Sequence, residues 1–261
     1  MEMVILGSAG WVPQAERMTT CVAVRVGDAL VLLDAGTGVA RLREPRFARL
    51  LPANGSVDIL LSHLHLDHTV GLTFLPALWQ DLPTTIHLPP DEVSGYGPDV
   101  LERLVGPPFF PHGLAAFPMP VVVATLPVGS SVIGGLPVEV RSQTHPGGSL
   151  GFRLGDRLAF LTDTAHHPGA AEFAAGVDVL VHEAWCKGQG DPDELRRGLD
   201  GHTSAEDAAR VARDAGAGEL LLSHLTPLRD EVYYAEMMAR ARGIFPHTHL
   251  CADGLARTWD D

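Results

Sequence analysis

One stretch of the chain decides the fold: Val57-Asp58-Ile59-Leu60-Leu61-Ser62-His63-Leu64-His65-Leu66-Asp67-His68-Thr69-Val70-Gly71. Its first part is short and mostly apolar, which predicts a buried strand, and the polar His-x-His-x-Asp-His segment follows where that strand ends. His63 and His65 are two positions apart, so on an extended backbone they point to the same side. Three imidazoles and one carboxylate this close together are ligands that zinc, manganese and iron accept. The stretch therefore predicts a metal site at the end of a strand.

Three polar residues later in the chain also follow apolar runs. His145 comes after Val138-Glu139-Val140, Asp163 comes after the run that ends at Leu161, and His224 comes after the run that ends at Leu222. Each of these runs predicts a strand. The three residues therefore occupy the same kind of position as the histidine segment, directly after a predicted strand.

His63-Leu64-His65-Leu66-Asp67-His68 resembles the metal-binding signature of the metallo-β-lactamase superfamily, and the later His, Asp and His match the order in which that family continues. The resemblance spans nearly the whole chain. It implies an α+β fold, the four-layer αββα sandwich. No linker or low-complexity segment divides the sequence, so we predict a single hydrolase domain over residues 1–261. The resemblance also implies two divalent metal ions, Zn²⁺ first, with Mn²⁺ or Fe²⁺ as alternatives. His63, His65 and His145 would bind one ion, Asp67, His68 and His224 would bind the other, and Asp163 would bridge both.

Two further residues resemble the catalytic motifs of ribonuclease Z and related phosphodiesterases: His202 in Gly201-His202-Thr203, and Glu183 in His182-Glu183-Ala184-Trp185. The resemblance implies that His202 protonates the leaving oxygen and that Glu183 orients His202. A departing alkoxide benefits from a general acid, and a neighbouring carboxylate favours the protonated imidazole. Asp67 would position the attacking hydroxide. The alternative is that His202 only stands at the beginning of a helix.

Two features argue against transfer RNA as the substrate. Ribonuclease Z enzymes have a long RNA-gripping arm, which in bacterial forms lies between the third and fourth metal motifs, whereas here only a predicted hairpin separates His145 from Asp163. The net charge of −13 also disfavours long nucleic acids, which bind mainly through Lys and Arg. We therefore predict a phosphodiesterase for a small-molecule ester: a cyclic nucleotide, a cyclic phosphate or a short oligonucleotide.

Three alternatives stay open at this point. The same metals could cleave a carboxylic ester, a lactone or a thioester without His202. Ribonuclease Z-like RNA processing would need a basic patch assembled from distant arginines such as Arg17, Arg153 and Arg229. A non-catalytic metal-binding protein could also keep this fold, because a fold alone does not specify a function.

A segment rich in proline and phenylalanine lies between the histidine segment and His145: Gly106-Pro107-Pro108-Phe109-Phe110-Pro111-His112-Gly113. Its prolines exclude a regular helix or strand. The segment is either a stiff surface loop or a lid over the metals that presents Phe109 and Phe110 to the substrate.

Composition places the chain among ordinary globular proteins, with 46% hydrophobic and 20% charged residues. No apolar run reaches the roughly eighteen residues that a membrane span needs, so we expect no membrane association. The N-terminus lacks the basic region of a secretory signal, and the three cysteines form no Cys-x-x-Cys pair. These features predict a cytoplasmic location. Arginines at both ends and an apolar C-terminal helix allow a homodimer but do not require one.

Local patterns also predict three helices near the polar residues. Arg41 to Leu51 and Val70 to Trp79 are predicted helices on either side of the strand that ends at Leu61. Thr203 to Ala215 is predicted as a third helix, because alanine and valine recur on one face of it. A capping box in Thr203-Ser204-Ala205-Glu206 would begin this helix.

Overall fold

The computed structural model describes residues 1–192 and 201–260. Within them, fourteen strands form two seven-stranded sheets. The first sheet has the order β14-β1-β2-β3-β4-β5-β6, and the second has the order β13-β12-β11-β10-β9-β8-β7. The strands are β1 Glu2–Gly7, β2 Cys21–Val26, β3 Ala29–Leu33, β4 Ser56–Leu60, β5 Thr84–Leu88, β6 Val121–Thr125, β7 Gly129–Ile133, β8 Leu136–Gln143, β9 Ser149–Leu154, β10 Leu158–Leu161, β11 Val179–Glu183, β12 Glu219–Ser223, β13 Thr248–Leu250 and β14 Ala256–Thr258.

Helices cover the outer faces of both sheets. The α-helices in the described residues are α1 Leu66–Thr69, α2 Leu75–Leu78, α3 Asp91–Ser94, α4 Asp99–Leu104, α5 Ala170–Phe173, α6 Ala205–Ala215 and α7 Glu231–Ile244. Shorter 3₁₀ segments span Thr37–Arg43, Ala48–Leu50, Val70–Phe74 and Leu114–Ala116. Across residues 1–192 and 201–260, none of the helices has the length and apolar character that crossing a bilayer requires.

Three apolar cores hold these layers together. The central core lies between the sheets, where Ile5 and Leu33 of the first sheet meet Phe152, Phe160 and Leu221 of the second. One outer core packs the helices between β3 and β6 against the first sheet, and the other packs α5, α6 and α7 against the second sheet. The order helix, sheet, sheet, helix confirms the predicted αββα sandwich.

Strand direction brings the predicted ligands to one place. In the first sheet β3, β4 and β5 run parallel, and in the second sheet β10, β11 and β12 run parallel. Because parallel strands end at the same edge of a sheet, the loops that follow them lie side by side. The predicted ligands follow β4, β8, β10 and β12, and Glu183 ends β11.

Two of the predicted helices are wrong in detail, and proline explains both. Between Arg41 and Leu51 the chain forms two separate 3₁₀ segments, because Glu44 is extended with ψ 133° and precedes Pro45, which disfavours the helical conformation at that position. From Val70 to Trp79, a 3₁₀ segment leads into α2. Pro76 lies in the first turn of α2, where it lacks the N–H that a longer continuous helix would use.

The third predicted helix begins two residues later than expected. Ser204 is the N-cap of α6, and its hydroxyl accepts a 3.1 Å hydrogen bond from the Asp207 N–H. The capping box at Thr203 is therefore wrong by one residue. Three strands were not predicted: β7, which contains Ser130 and Ser131, and the three-residue strands β13 and β14, which pair with β12 and β1.

Candidate metal centre and active site

Asp34 organises the histidine segment from the neighbouring loop. Its buried carboxylate accepts hydrogen bonds from the Ser62 N–H at 2.7 Å and the Ser62 hydroxyl at 2.8 Å, and it lies 2.8 Å from His68 Nδ1. A carboxylate only accepts, so His68 Nδ1 is protonated. The Ser62 hydroxyl gives its proton to Asp34 and so accepts from His63 Nδ1, 3.0 Å away. Neutral His63 and His68 would therefore both have an unprotonated Nε2, the form that binds a metal.

Asp163 lies two residues after the end of β10, between two groups of imidazoles. Its Oδ2 is 3.7 Å from Nε2 of His63 and 3.7 Å from Nε2 of His145. Its Oδ1 is 3.3 Å from Nε2 of His68 and 3.2 Å from Nε2 of His224. Each oxygen of one carboxylate thus faces a different pair of histidines.

The remaining predicted ligands complete the two groups. His145 Nδ1 lies 3.1 Å from the Gly201 carbonyl, to which it donates, and its Nε2 lies 3.3 Å from His65 Nδ1. Asp67 Oδ2 lies 3.3 Å from His224 Nε2 and 3.4 Å from His68 Nε2. The predicted residues are therefore brought together as the sequence indicated.

The donor atoms suit divalent metal ions. Those of each group lie within 4.8 Å of one another. Within the described part of the chain, Nε2 of His63 and Nε2 of His68 are buried and have no hydrogen-bond partner, which is costly unless another group such as a metal satisfies them. The first group is His63, His65, His145 and Asp163, and the second is Asp67, His68 and His224; a further set that meets the same criterion is Asp163, His202 and His224.

Electrostatics favour the metal-binding forms of His63 and Asp163 but the protonated form of His68. Burial, together with the adjacent His68, lowers the pKa of His63 well below its usual range. Burial opposes ionisation of Asp163, yet the surrounding imidazoles, His224 first, hold its pKa well below its usual range. Burial also opposes the charged form of His68, but nearby carboxylates, Asp163 foremost, raise the pKa of His68. The cluster thus contains a neutral His63 and an ionised Asp163.

Unusual backbone conformations concentrate at this site. Five residues other than glycine have positive φ in the described chain, and four of them are Trp11, Asp34, Asp163 and His224, with φ of 61°, 62°, 31° and 47°. Such conformations are costly for L-residues and often mark functional sites. Gly10 faces the His224 ring so closely that a Cβ there would lie 2.7 Å from Cε1.

Glu183 and His202 form a buried pair beside the cluster. His202 Nδ1 lies 2.9 Å from Glu183 Oε2, and the other carboxylate oxygen accepts from the Thr164 N–H. The indole of Trp185 stacks on the His202 ring with centroids 4.5 Å apart and planes 10° apart. The His202 ring centroid is 5.5 Å from that of His224. The pair predicted from sequence is therefore adjacent to the predicted metal ligands.

A cavity of about 320 Å³ opens over these residues. It is lined by Trp11, His65, Asp67, His145, Pro146, Asp163, Trp185, His202 and His224. Phe109 and Phe110 do not line this cavity; they line a neighbouring groove beside α1 together with Leu66.

Sequence reasoning missed three residues of the site. Asp34 was not among the predicted site residues, although its position directly after β3 could have indicated a role. Trp185 belongs to the His182-Glu183-Ala184-Trp185 motif, but nothing local shows that it stacks on His202. Trp11 donates its backbone N–H to Asp67 Oδ2 at 2.7 Å, a contact that no sequence pattern indicates.

Comparisons with known proteins agree with this geometry. The family described as "Beta-lactamase superfamily domain" matches residues 30–225. A ribonuclease Z from Mycobacterium sp. (strain KMS) is 32% identical over 98% of this chain and 95% of its own length. The metallo-β-lactamase fold protein YhfI from Bacillus subtilis has a similar structure, with TM-score 0.77 and 21% identity over 98% of each chain. The short form of human tRNase Z has TM-score 0.71 and 20% identity over 99% of each chain.

Proposed function

Because the chain belongs to the metallo-β-lactamase superfamily and is a metal-dependent hydrolase of its ribonuclease Z-like branch, we propose that it is a dinuclear phosphodiesterase for a small phosphodiester. One observation supports this most directly. The Asp163 carboxylate turns one oxygen toward each group of imidazoles, beside the Glu183–His202 pair in the same cavity.

The two groups would hold two metal ions. His63, His65 and His145 would hold one, Asp67, His68 and His224 the other, and Asp163 would contact both. Imidazole nitrogens and carboxylate oxygens suit Zn²⁺, with Mn²⁺ or Fe²⁺ as alternatives. Bound ions of this kind lower the pKa of water and stabilise negative charge on phosphoryl oxygens.

Asp67 positions the attacking water in this proposal. Its Oδ2 is held by the Trp11 N–H at 2.7 Å, and its side chain lines the cavity. Its neighbours His68 and His224 outweigh the effect of burial and hold the pKa of Asp67 below its usual range. An ionised Asp67 accepts a hydrogen bond from water and so fixes the direction of attack.

His202 acts as the general acid in this proposal. Its Nδ1 donates to Glu183, so proton transfer to the leaving oxygen uses Nε2. Glu183 stabilises the imidazolium, and the stacked Trp185 fixes the plane of the ring. General acids at such positions contribute about 10²–10⁴-fold in rate.

The first test measures hydrolysis of bis(p-nitrophenyl) phosphate and metal content on one sample. We expect turnover with two metals per chain, and loss of turnover in Asp163→Ala. Two metals without turnover would contradict the phosphodiesterase proposal and favour a carboxylic ester, lactone or thioester substrate. Absence of metal from every preparation would contradict the mechanism.

A second test isolates His202. His202→Ala should lose about 10²–10⁴-fold in kcat with an alkyl alkoxide leaving group and little with p-nitrophenolate, which needs no protonation. His249→Ala, an exposed histidine beside Glu219, is the matched control. Loss of metal in His202→Ala would instead indicate that His202 is itself a metal ligand, together with Asp163 and His224.

RNA processing is the second candidate, because the ribonuclease Z relative matches 98% of this chain. The net charge of −13 disfavours it, as does the β9–β10 hairpin that occupies the segment between His145 and Asp163. Binding of a transfer RNA precursor that weakens steeply with salt would favour this candidate.

A further inference from the structure

An open groove continues from the metal cavity along the surface of the protein. A cavity of about 510 Å³ shares His65 and Pro146 with the metal cavity. It also shares Val100 with a second cavity of about 510 Å³, which Leu66 and Phe109 help to line. Each neighbouring pair of these cavities shares lining residues, so the three cavities lie side by side. We call the two outer cavities together the α1 groove, which extends from beside the metal cavity to Phe109.

Large apolar side chains stand exposed along the α1 groove. Leu66 is 63% exposed, Phe109 is 81% exposed and Tyr96 is 56% exposed. Phe110 anchors the loop by edge-to-face contact with Phe117, their ring centroids being 6.2 Å apart. Exposed apolar residues gathered in one groove mark a binding site more often than isolated ones do.

His65 and Tyr96 supply polar groups to the part of the groove beside the metal cavity, but the part around Leu66 and Phe109 offers few. The Thr73 hydroxyl donates to the Val70 carbonyl at 2.7 Å, and Arg103 pairs with Asp99 of the same helix at 2.9 Å. A nucleobase needs hydrogen-bond partners when it is buried, whereas an alkyl or aryl group needs only apolar contact. The chemistry of the groove therefore favours an apolar occupant.

We propose that the α1 groove binds an alkyl or aryl arm of the substrate, so that the substrate is a phosphodiester with one extended apolar ester group. Leu66 lies between His65 and Asp67 in the chain. A substrate arm that packs on Leu66 would therefore begin close to the metal ligands. Phe109 contacts the far part of the arm. That the substrate is a phosphodiester rests on the proposed function. That it has an apolar arm rests on the groove alone.

The kinetic test uses p-nitrophenyl phosphodiesters whose second ester is methyl, butyl or octyl. In the metal-loaded wild-type protein, kcat/KM should rise by up to about fourfold for each methylene that the groove buries. Phe109→Ala should lower kcat/KM for the octyl ester about tenfold and for the methyl ester less than twofold. Val132→Ala, a 76% exposed valine on β7, is the matched control and should change neither. An equal loss for both esters in Phe109→Ala would contradict the inference.

A binding test separates the groove from the catalysis. By calorimetry, n-octylphosphonate should bind the wild-type protein at least tenfold more tightly than methylphosphonate, and Phe109→Ala and Leu66→Ser should each reduce this difference. That result in a protein that hydrolyses no phosphodiester would support the groove while contradicting the proposed function. Equal binding of the two phosphonates, or a difference that survives both substitutions, would overturn the groove assignment.

Discussion

Asp34→Asn tests how the site fixes its histidines. The carboxylate of Asp34 accepts from Ser62 twice and from His68 Nδ1, all within 2.8 Å. An amide of the same shape keeps one oxygen but replaces the other with an NH₂ group, which donates. The Ser62 hydroxyl and His68 Nδ1 both donate to Oδ2, whereas the Ser62 N–H donates to Oδ1. An NH₂ group in place of Oδ2 leaves the Ser62 hydroxyl and His68 without their acceptor, and an NH₂ group in place of Oδ1 opposes the buried Ser62 N–H. In either orientation a buried donor loses its acceptor, so the histidine segment is no longer held as in the wild-type protein.

The structure sets the size of the effect. Removing one partner of a fully buried charge pair costs about 3–5 kcal/mol, and the oxygen that Asn retains places this substitution near 3 kcal/mol. For a chain of this size, about 2–4 °C in Tm accompanies each kcal/mol, so Tm of the metal-free protein should fall by about 6–12 °C. Partners that orient ligating histidines are worth about 10–100-fold in metal affinity, and we expect a loss in that range.

The assay compares Asp34→Asn with Asp58→Asn. Asp58 Oδ1 lies 2.8 Å from His87 Nε2, so the control makes the same chemical change in another carboxylate–histidine pair, whose residues are not among the predicted ligands. Urea unfolding gives stability, and competition with a coloured chelator gives metal affinity. Asp58→Asn should cost less stability than Asp34→Asn, because the Asp58–His87 pair is partly exposed whereas Asp34 and His68 are fully buried, and it should leave metal affinity unchanged. Wild-type metal affinity in Asp34→Asn, or an equal loss in the control, would refute the reasoning.

Three further results follow from the same structure. Gly10→Ala places a methyl group against the His224 ring and should weaken metal binding about tenfold or more, because it displaces that ring. Metal analysis measures this loss. The control Gly243→Ala, where a Cβ meets nothing within 4 Å, should leave metal binding unchanged. Removal of the metal ions with a chelator should abolish activity. If the free ions were present at a hundredfold excess over their Kd, their removal should also lower Tm by about 5–10 °C. An unchanged Tm by calorimetry would contradict metal binding. Burial raises the pKa of Cys251 to about 12 and also raises the pKa of Cys21, so both thiols stay protonated at pH 8.5. They should resist iodoacetamide in the native protein and react in urea. Labelling of either thiol in the native protein, detected by mass spectrometry, would contradict their burial.

The predicted ligands illustrate what sequence patterns can locate. Each follows a short apolar run, which indicated a position at the end of a strand, and the resemblance to the metallo-β-lactamase superfamily joined His63, Asp163 and His224 in one site. His202 and Glu183 were predictable only from the resemblance to phosphodiesterases, because no local pattern relates them.

The residues that were missed depend on contacts between distant loops. Asp34 binds Ser62 only because β3 and β4 are neighbouring parallel strands, and Trp185 reaches His202 only after the second sheet has formed. The wrong helix at Arg41–Leu51 has a local cause. The segment was predicted as one helix, but Pro45 restricted Glu44 and divided it.

The separation of the site between two sheets has a consequence for how the protein becomes active. Each proposed metal position combines side chains that follow strands of the first sheet, such as His63 and His68, with side chains that follow strands of the second, such as His145 and His224. An ion at either position would act as a cross-link between the two halves of the sandwich. Neither half alone could load its metal, so ion uptake would report completed assembly. Phe152 lies in the core between the sheets and does not line the site. A substitution that loosened the packing there would then lower metal affinity before it unfolded the protein.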